Sequence, residues 1–384
     1  MIVGFFTDHN FLSDPSGIVY TSGTLNSEFW GRYLNNGADH VIAVGRDGGR
    51  AKGNPRKASA ENVSFRYCDS LSNLAGLLGF MDDEIVMDTV QKADRVVVRL
   101  PSEIGYRAIG YAKQFGKPVA CEVVACPRDA LQYHGSVQAK LYALLAAYRM
   151  KKHVAKCNAA LYVTQSELQR RYPNFYFTVN ASNVEIEETK GDCVHERITR
   201  FRYRAAIGAL NICLVGTLEN RSKGIDIAIR ALAGKPHQLT VIGRGDPQGY
   251  ERLAQKLGVT VEFKGFISER GALLSLLDNA DMYIQPSFQE GLSRATLEAM
   301  SRGCPVITSS AGGLPEVTHP NFIHKPGDNR TLATHIHNAI DETTIKELIL
   351  HSLKTSEKYL RDTIEKKRTF FYQTFFAGTS SRKV

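Results

Sequence analysis

The segment Gln285–Met300, QPSFQEGLSRATLEAM, holds the densest group of candidate functional residues in the chain. Its pattern predicts a strand end, then a loop that carries Glu290 and Gly291, then a helix that begins near Ser293. A helical rise of ~1.5 Å per residue puts Glu298 at most about two turns into that helix. Two carboxylates therefore bracket the start of a helix.

A helix start offers free backbone N–H groups and the positive end of the helix dipole, which suits a diphosphate. Gly291, Leu292 and Ser293 form this start, and the glycine lets the backbone approach an anion closely. Carboxylates at the same place repel phosphate but accept hydrogen bonds from sugar and ribose hydroxyls. The arrangement therefore favours a sugar nucleotide over a bare phosphate.

Short apolar runs alternate with helical patterns on both sides of this segment, which predicts an α/β protein with parallel, doubly wound sheets. Strands are predicted in the C-terminal half at Asn211–Val215, Gln238–Ile242, Val259–Lys264, Met282–Gln285 and Pro305–Thr308. Those of the N-terminal half are predicted at Ile2–Thr7, His40–Val44, Arg95–Leu100, Pro118–Val124 and Ala159–Val163. Ligands of such sheets bind at the carboxyl ends of the strands.

A polar, weakly periodic stretch at about 186–205 predicts the boundary between two domains. We expect one Rossmann-like domain at 1–185 and a second at 209–358. The basic and aromatic tail, 359–384, is predicted to form a helix that packs back on the first domain.

The composition limits the class of protein. The 384 residues are 43% hydrophobic and 23% charged, which is ordinary for a globular protein large enough for two domains. Seven scattered cysteines without C-x-x-C spacing favour buried thiols in a reducing compartment, and we expect a cytoplasmic protein. The net charge of +9 is compatible with an anionic membrane surface or an anionic ligand, but no nucleic-acid-binding motif accompanies it.

The segment that contains Glu290 and Glu298 resembles the E-x7-E motif of the family 4 glycosyltransferases, and Cys304–Glu316 also follows that family in order and spacing. The resemblance implies a GT-B fold, in which two Rossmann-like domains face each other across a cleft. It implies retaining transfer of a hexosyl group from a nucleotide-diphosphate sugar to a glycan or lipid-linked acceptor, of the polysaccharide-biosynthesis type. Glu290 would bind a hydroxyl of the donor sugar and Glu298 the ribose.

The loop after the first strand of the second domain resembles the phosphate-binding loop of the same family. Gly216 opens it, and Lys223 matches the lysine that holds the diphosphate. The arginine that usually follows the glycine is replaced by Thr217, so Arg221 is the candidate substitute. Outside this fold, a lysine in such a loop is more often simply solvated.

Two further loops of the second domain fit the nucleotide site of the family. Gly243 would let the backbone approach the nucleotide, although the G-x-G after this strand does not match a Rossmann dinucleotide fingerprint. Phe266 and Ile267 would read the base through backbone groups, although Gly265 and Phe266 fit equally well as turn and core residues.

The first domain matches the family more loosely. Gly17 is the candidate for a small loop that faces the donor or acceptor. Asp129 is the first candidate for the catalytic contact near the reacting sugar, ahead of Arg128 and His134. Thr164 is a candidate acceptor contact, and capping of the next helix is an alternative use.

Departure of a nucleoside diphosphate requires stabilisation of its developing negative charge. The sequence has no D-x-D or histidine cluster to hold a metal, so we expect Lys223 and the helix start to supply the positive charge, with no metal or other cofactor. Glu290, Lys223 and Asp129 are the predicted catalytic residues. Alternatives are a sugar-nucleotide epimerase of the same fold and a non-catalytic sugar-nucleotide-binding partner protein, and a nucleic-acid-binding protein has only the net charge in its favour.

Overall fold

The computed structural model describes residues 1–51, 53–68, 83–132 and 137–378. The described residues form two compact units. The N-terminal unit takes those within 1–128, 141–181 and 365–384, and the C-terminal unit takes those within 129–140 and 182–364. No helix in this described part of the chain has the length and apolar content needed to cross a membrane.

The strands and helices alternate along the chain as the sequence predicts. The strands are β1 (Ile2–Ser13), β2 (Val19–Thr21), β3 (His40–Arg50), β4 (Arg56–Lys57), β5 (Val63–Cys68), β6 (Arg95–Leu100), β7 (Val119–Val123), β8 (Ala159–Tyr162), β9 (Phe177–Asn180), β10 (Asn211–Val215), β11 (Gln238–Ile242), β12 (Thr260–Phe263), β13 (Met282–Gln285), β14 (Val306–Ser309) and β15 (Ile323–His324). The helices are α1 (Gly31–Leu34), α2 (Glu84–Lys92), α3 (Glu103–Gln114), α4 (Pro127–Gln132), α5 (Val137–Val154), α6 (Glu167–Arg171), α7 (Cys193–Ala206), α8 (Ile225–Ala231), α9 (Gln248–Leu257), α10 (Arg270–Asn279), α11 (Arg294–Ser301), α12 (Asn329–Asn338), α13 (Glu342–Ser356) and α14 (Arg361–Phe376).

The N-terminal unit contains a parallel sheet in the order β5-β3-β1-β6-β7-β8-β9. The first strand does not end at Thr7 as predicted but continues to Ser13, because its second half pairs with the antiparallel strand β2. Strands β5 and β9 lie at the edges of the sheet and were not predicted. Their side chains are mostly half-buried and mix polar with apolar types, so the apolar runs that identify central strands are missing.

Buried Glu122 on β7 joins the C-terminal helix α14 to the sheet of the N-terminal unit. Its carboxylate accepts hydrogen bonds from the hydroxyls of Tyr33 at 2.6 Å and of Tyr372, on α14, at 2.5 Å, and it pairs with Arg99. Burial alone raises the pKa of Glu122, but Arg99, Arg32 and the two tyrosines outweigh it and hold the pKa below its ordinary value. The ionised carboxylate therefore fixes the helix through charge-assisted hydrogen bonds.

The C-terminal unit contains a parallel sheet in the order β12-β11-β10-β13-β14-β15. This is the 3-2-1-4-5-6 strand order of a Rossmann-type sheet, in which the order reverses between β10 and β13. Ligands of such sheets bind at the carboxyl ends of the strands beside this reversal. The loops that follow β10, β11 and β13 are therefore the place where a site is expected.

The predicted boundary stretch, 186–205, contains helix α7, which the sequence analysis missed. Cys193, Arg197 and Phe201 recur every four residues and form the buried face of this helix. Arg197 donates hydrogen bonds to the backbone carbonyl oxygens of Leu277, Ala280 and Arg302, which end two neighbouring helices. Because a charged residue, Arg197, occupies a buried position, the apolar face of this helix is interrupted in the sequence. The sequence analysis therefore predicted a polar linker here.

Candidate active site

Backbone hydrogen bonds join three loops at the carboxyl ends of β10, β11 and β12. The amide N–H of Gly216 donates to the carbonyl oxygen of Ile242 at 2.9 Å, and that of Gly243 donates to Gly265 at 2.9 Å. The N–H of Leu218 also donates to the carbonyl oxygen of Arg244 at 2.7 Å. The predicted nucleotide loops around Gly216, Gly243 and Gly265 are thus held side by side.

Two glycines allow neighbouring loops of the C-terminal unit to approach each other closely. A Cβ atom on Gly243 would lie 1.8 Å from the carbonyl oxygen of Gly216. Gly312 has a φ of +54°, and a Cβ atom there would lie 1.8 Å from the carbonyl oxygen of Glu290. Any other residue at either position would push the loops apart.

Lys223 and Glu290, predicted from separate motifs, form an ion pair in the C-terminal unit. Their side chains are 24% and 9% exposed. The Ser287 hydroxyl donates to Glu290 Oε1 at 3.2 Å, and Gln285 Nε2 donates to the Ser287 hydroxyl at 2.8 Å. The carboxylate is therefore held by a chain of polar groups that starts inside β13.

Lys223 is positioned by the loop that carries it. Residues Arg221–Lys223 form a 3-10 turn, and the Asn220 side chain caps this turn by accepting the Ser222 N–H at 2.9 Å. The lysine stem crosses Gly216, where a Cβ atom would lie 2.6 Å from Lys223 Cγ. Gly216 thus provides room for the lysine at the start of the predicted phosphate-binding loop.

Arg221, the candidate substitute for the missing phosphate-binding arginine, forms an ion pair with Asp226 at 2.5 Å. Its guanidinium also lies 6.0 Å from the ring centroid of Phe288. The contact with Asp226 is made through Nη2, and the role of Arg221 in donor binding remains a prediction.

Glu298 is buried in the second turn of α11, and the hydroxyl of Ser293 caps this helix by accepting the Thr296 N–H at 3.2 Å. Burial raises the pKa of Glu298, and the positive charges of Arg294 and Arg270 oppose this rise. Arg270 Nε lies 3.7 Å from Glu298 Oε1. Arg270 was not singled out from the sequence, because it is one charged residue among several at the start of α10.

The loop after β12 presents an exposed aromatic ring. Phe266 is largely exposed, and the guanidinium of Arg244 lies 4.8 Å from its ring centroid. Ile267, beside it, is half-buried. This cation–π pair connects the loops after β11 and β12, and Arg244 is a second residue that the sequence analysis missed.

The candidates from the N-terminal half lie in varied settings. Gly17 has a φ of +82° in a turn whose Asp14 side chain accepts the backbone N–H groups of Ser16 and Ile18, at 2.9 and 3.0 Å. The Thr164 hydroxyl accepts the Leu168 N–H at 3.0 Å and donates to a glutamine oxygen at 2.9 Å. The hydrogen bond from Leu168 fits the capping alternative, and the acceptor contact of Thr164 stays a prediction.

Arg128 is exposed and Asp129 half-buried in the first turn of α4. His134 lies outside the described residues. Asp129 was placed near the reacting sugar by resemblance alone, and that role stays a prediction.

His9 is a further candidate functional residue in the N-terminal unit, and the sequence analysis did not identify it. It lies where the pairing of β1 with β3 is interrupted, and its Nε2 is 2.7 Å from the Thr21 hydroxyl. Burial and the nearby Arg99 lower the pKa of His9, which favours a neutral imidazole. The polar run Asp8–Asn10 inside an otherwise apolar strand was the available signal.

The sequence is similar to those of known glycosyltransferases and of the protein CapJ. Residues 209–342 match the family model described as Glycosyl transferases group 1. Protein CapJ of Staphylococcus aureus is 29% identical over 94% of this chain and 92% of its own length. The lipopolysaccharide glucosyltransferase WaaG of Escherichia coli is 37% identical over 24% of this chain and 26% of its own.

Solved structures share the whole fold. A crystal structure of WaaG, described as a glycosyltransferase involved in lipopolysaccharide biosynthesis, superposes with a TM-score of 0.59 and 17% identity over 96% of this chain and 99% of its own. Anabaena HepE in complex with UDP-glucose gives a TM-score of 0.58 and 17% identity over 96% and 98%.

The predicted fold is thereby confirmed as the GT-B fold of two Rossmann-like domains. Together with the family match to the unit that contains Lys223, Glu290 and Glu298, these relatives support a glycosyltransferase of the GT-B class. Within the described residues, no group of three or more His, Cys, Asp or Glu side chains is arranged to hold a metal ion.

Proposed function

We propose that this protein is a retaining, metal-independent glycosyltransferase that moves a hexosyl group from a nucleotide-diphosphate sugar to a glycan or lipid-linked acceptor. The observation that carries the proposal is the Lys223–Glu290 ion pair, which brings a cation and a carboxylate from two distant motifs to one edge of the C-terminal sheet. Binding of a sugar diphosphate uses both groups, because its phosphates pair with a cation and its sugar hydroxyls donate hydrogen bonds to a carboxylate.

Lys223 is the proposed partner of the departing diphosphate. When the bond between the anomeric carbon and the phosphate oxygen breaks, negative charge develops on that oxygen. The Lys223 ammonium and the N–H groups at the start of α11 would stabilise this charge without a metal. The anomeric carbon bonds to an acceptor hydroxyl, whose proton passes to the departing phosphate oxygen, and Asp129 is the candidate residue beside the acceptor.

Glu290 and Glu298 are proposed to hold the two sugars of the donor. Glu290, fixed by Ser287, would accept a hydrogen bond from the transferred sugar. Buried Glu298 would accept from the ribose, as the resemblance to family 4 implies. Glu298 is assigned to the ribose, and no other carboxylate of the motif is placed as a covalent nucleophile, so a glycosyl-enzyme intermediate of the kind made by paired carboxylates is not proposed.

We propose the cytosolic face of an anionic membrane as the place of action, because the N-terminal unit exposes a mixed apolar and basic surface on α5. Leu144, Leu145 and Tyr148 are 64%, 51% and 63% exposed, and the exposed Lys151 and Lys152 lie on the same helical face. Apolar side chains flanked by lysines suit the interface of a bilayer with anionic headgroups. Arg149, on the same helix, is paired with Glu103 at 2.6 Å and is not counted with these lysines.

Liposome sedimentation tests this surface. We expect binding to vesicles with anionic lipid that weakens with salt, and a loss of that binding when Leu144 and Leu145 are changed to Ser. Binding that is absent, or equal for neutral and anionic vesicles, would refute the membrane role.

Product analysis with and without acceptor tests the enzymatic proposal. We expect nucleoside diphosphate release from the donor to rise when lipid-linked or oligosaccharide acceptors are added, and to persist in EDTA. An epimerase would instead change the donor sugar without an acceptor, and a non-catalytic partner would bind the donor and leave it intact.

A further inference from the structure

Arg270 is the charged side chain that approaches the buried Glu298 from another element. Its Nε lies 3.7 Å from Glu298 Oε1, and this nitrogen is buried without a hydrogen-bond acceptor. The two side chains are 36% and 5% exposed, so the contact lies largely out of water. A buried carboxylate in such a place requires a nearby cation to stay ionised.

Arg270 is itself held in place from its other side. Its Nη1 pairs with Glu187 at 2.5 Å, and Glu187 is also 3.7 Å from Nη2 of Arg361, at the start of α14. All of these residues belong to the C-terminal unit. The guanidinium therefore lies between two carboxylates, with Nη1 paired with Glu187 and Nε 3.7 Å from Glu298 Oε1.

We propose that Arg270 is a positioning residue for recognition of the donor's ribose: it keeps the Glu298 carboxylate oriented and negatively charged, so that the carboxylate accepts hydrogen bonds from the ribose hydroxyls. The inference rests on the proposed function, because it assigns the ribose to Glu298. It adds a residue that lies outside the E-x7-E motif and acts through that motif.

The charged groups that face Glu298 determine how this contact responds to pH. Arg294, one turn earlier on α11, and Arg270 favour the ionised form, whereas burial and Glu187 oppose it. Loss of Arg270 removes one of the two positive charges that favour ionised Glu298. It also removes the partner that Arg270 provides for the negative charge of Glu187. The pKa of Glu298 then rises further, and the carboxylate is lost at a higher pH than in the wild type.

The test uses the full chain and isothermal titration with UDP, GDP, ADP and TDP, followed by the 2′,3′-dideoxy counterpart of the ribonucleotide that binds most tightly. Arg270→Gln should weaken the ribonucleotide about 5- to 20-fold, the size expected for a weakened hydrogen bond to a charged group. It should leave the dideoxy counterpart within about twofold. The ribonucleotide loss should grow as the pH falls from 8 to 6, and Arg270→Lys should restore part of the affinity.

Arg202→Gln is the matched control, since it removes an exposed arginine that pairs with Glu342 in the same unit. It should change neither affinity, and thermal melts should establish that all variants are folded. Equal losses for ribo- and dideoxynucleotide in Arg270→Gln, or no loss in either, would overturn the positioning role while the proposed function stands. If the wild type binds TDP alone, the ribose assignment fails, and if it binds none of these four nucleotides, the proposed function itself fails.

Discussion

Replacing Glu290 with Gln should separate catalysis from nucleotide binding. The substitution keeps the shape of the side chain and removes the charge that pairs with Lys223. In the proposed complex, Glu290 accepts a hydrogen bond from the transferred sugar, and a hydrogen bond to a charged group is worth about 1.5–3 kcal/mol. At about 1.4 kcal/mol per factor of ten, kcat should fall roughly 10- to 150-fold.

Binding of the free nucleoside diphosphate should respond in the opposite direction. In the wild type, Lys223 has to exchange Glu290 for a phosphate. With side chains 24% and 9% exposed, the pair lies between a surface and a fully buried ion pair, so breaking it costs about 1–2 kcal/mol. The variant avoids this cost and also removes a negative charge near the phosphates, so affinity should stay equal or rise by up to about 30-fold.

The assay pairs steady-state donor turnover with isothermal titration of the nucleoside diphosphate, on the same preparations. Glu342→Gln is the control, because it breaks an exposed Arg–Glu pair elsewhere in the C-terminal unit and should change neither quantity. Parallel losses of turnover and nucleotide affinity in Glu290→Gln would refute the assignment of Glu290 to the sugar.

Three other substitutions have defined outcomes. Glu298→Gln should show the reverse split from Glu290→Gln, with nucleotide affinity down about 5- to 20-fold in titration and a smaller change in kcat. Gly243→Ala should lower the free energy of unfolding by about 2–4 kcal/mol in urea melts, because its Cβ would overlap a carbonyl oxygen, whereas Gly249→Ala, with no atom within 4 Å of the new Cβ, should stabilise the helix slightly. Tyr372→Phe should cost about 1.5–3 kcal/mol at pH 7, where Glu122 is ionised. Since the folded pKa of Glu122 is lowered, its stabilisation is complete above the ordinary value of 4.5 and is lost as the pH falls through the folded pKa, so the Tyr372→Phe deficit should shrink at a pH below 4.5. A deficit that begins to shrink already above pH 4.5 would contradict this account.

The sequence predicted the central strands well because those of a parallel sheet are buried on both faces and stand out as apolar runs. The edge strands β5 and β9 were missed because exposure permits polar side chains there. Helix α7 was missed because Arg197 fills a core position and donates hydrogen bonds to backbone carbonyls 80 and 83 residues away. No local pattern records such a contact.

For the site, short motifs predicted Lys223, Glu290 and Glu298 individually, and the structure supplied the ion pair that joins the first two. Arg270 could not be selected from sequence, because its relation to Glu298 depends on how α10 packs beside α11. For Thr164, the hydrogen bond from Leu168 fits the capping alternative, and its acceptor contact stays a prediction. Local motifs thus predict residues that contact a ligand. Residues that act through another residue can be identified only from the packing in the three-dimensional structure.

The most direct test of the central claim is a thermal-shift screen of the full chain against UDP-, GDP-, ADP- and TDP-sugars in the presence of EDTA. A ligand that binds only the folded state raises the melting temperature. We predict that at least one of these donors raises it without a metal, and that Lys223→Gln abolishes the rise. No shift with any donor, or a shift that Lys223→Gln leaves unchanged, would contradict a donor site built around Lys223 and Glu290.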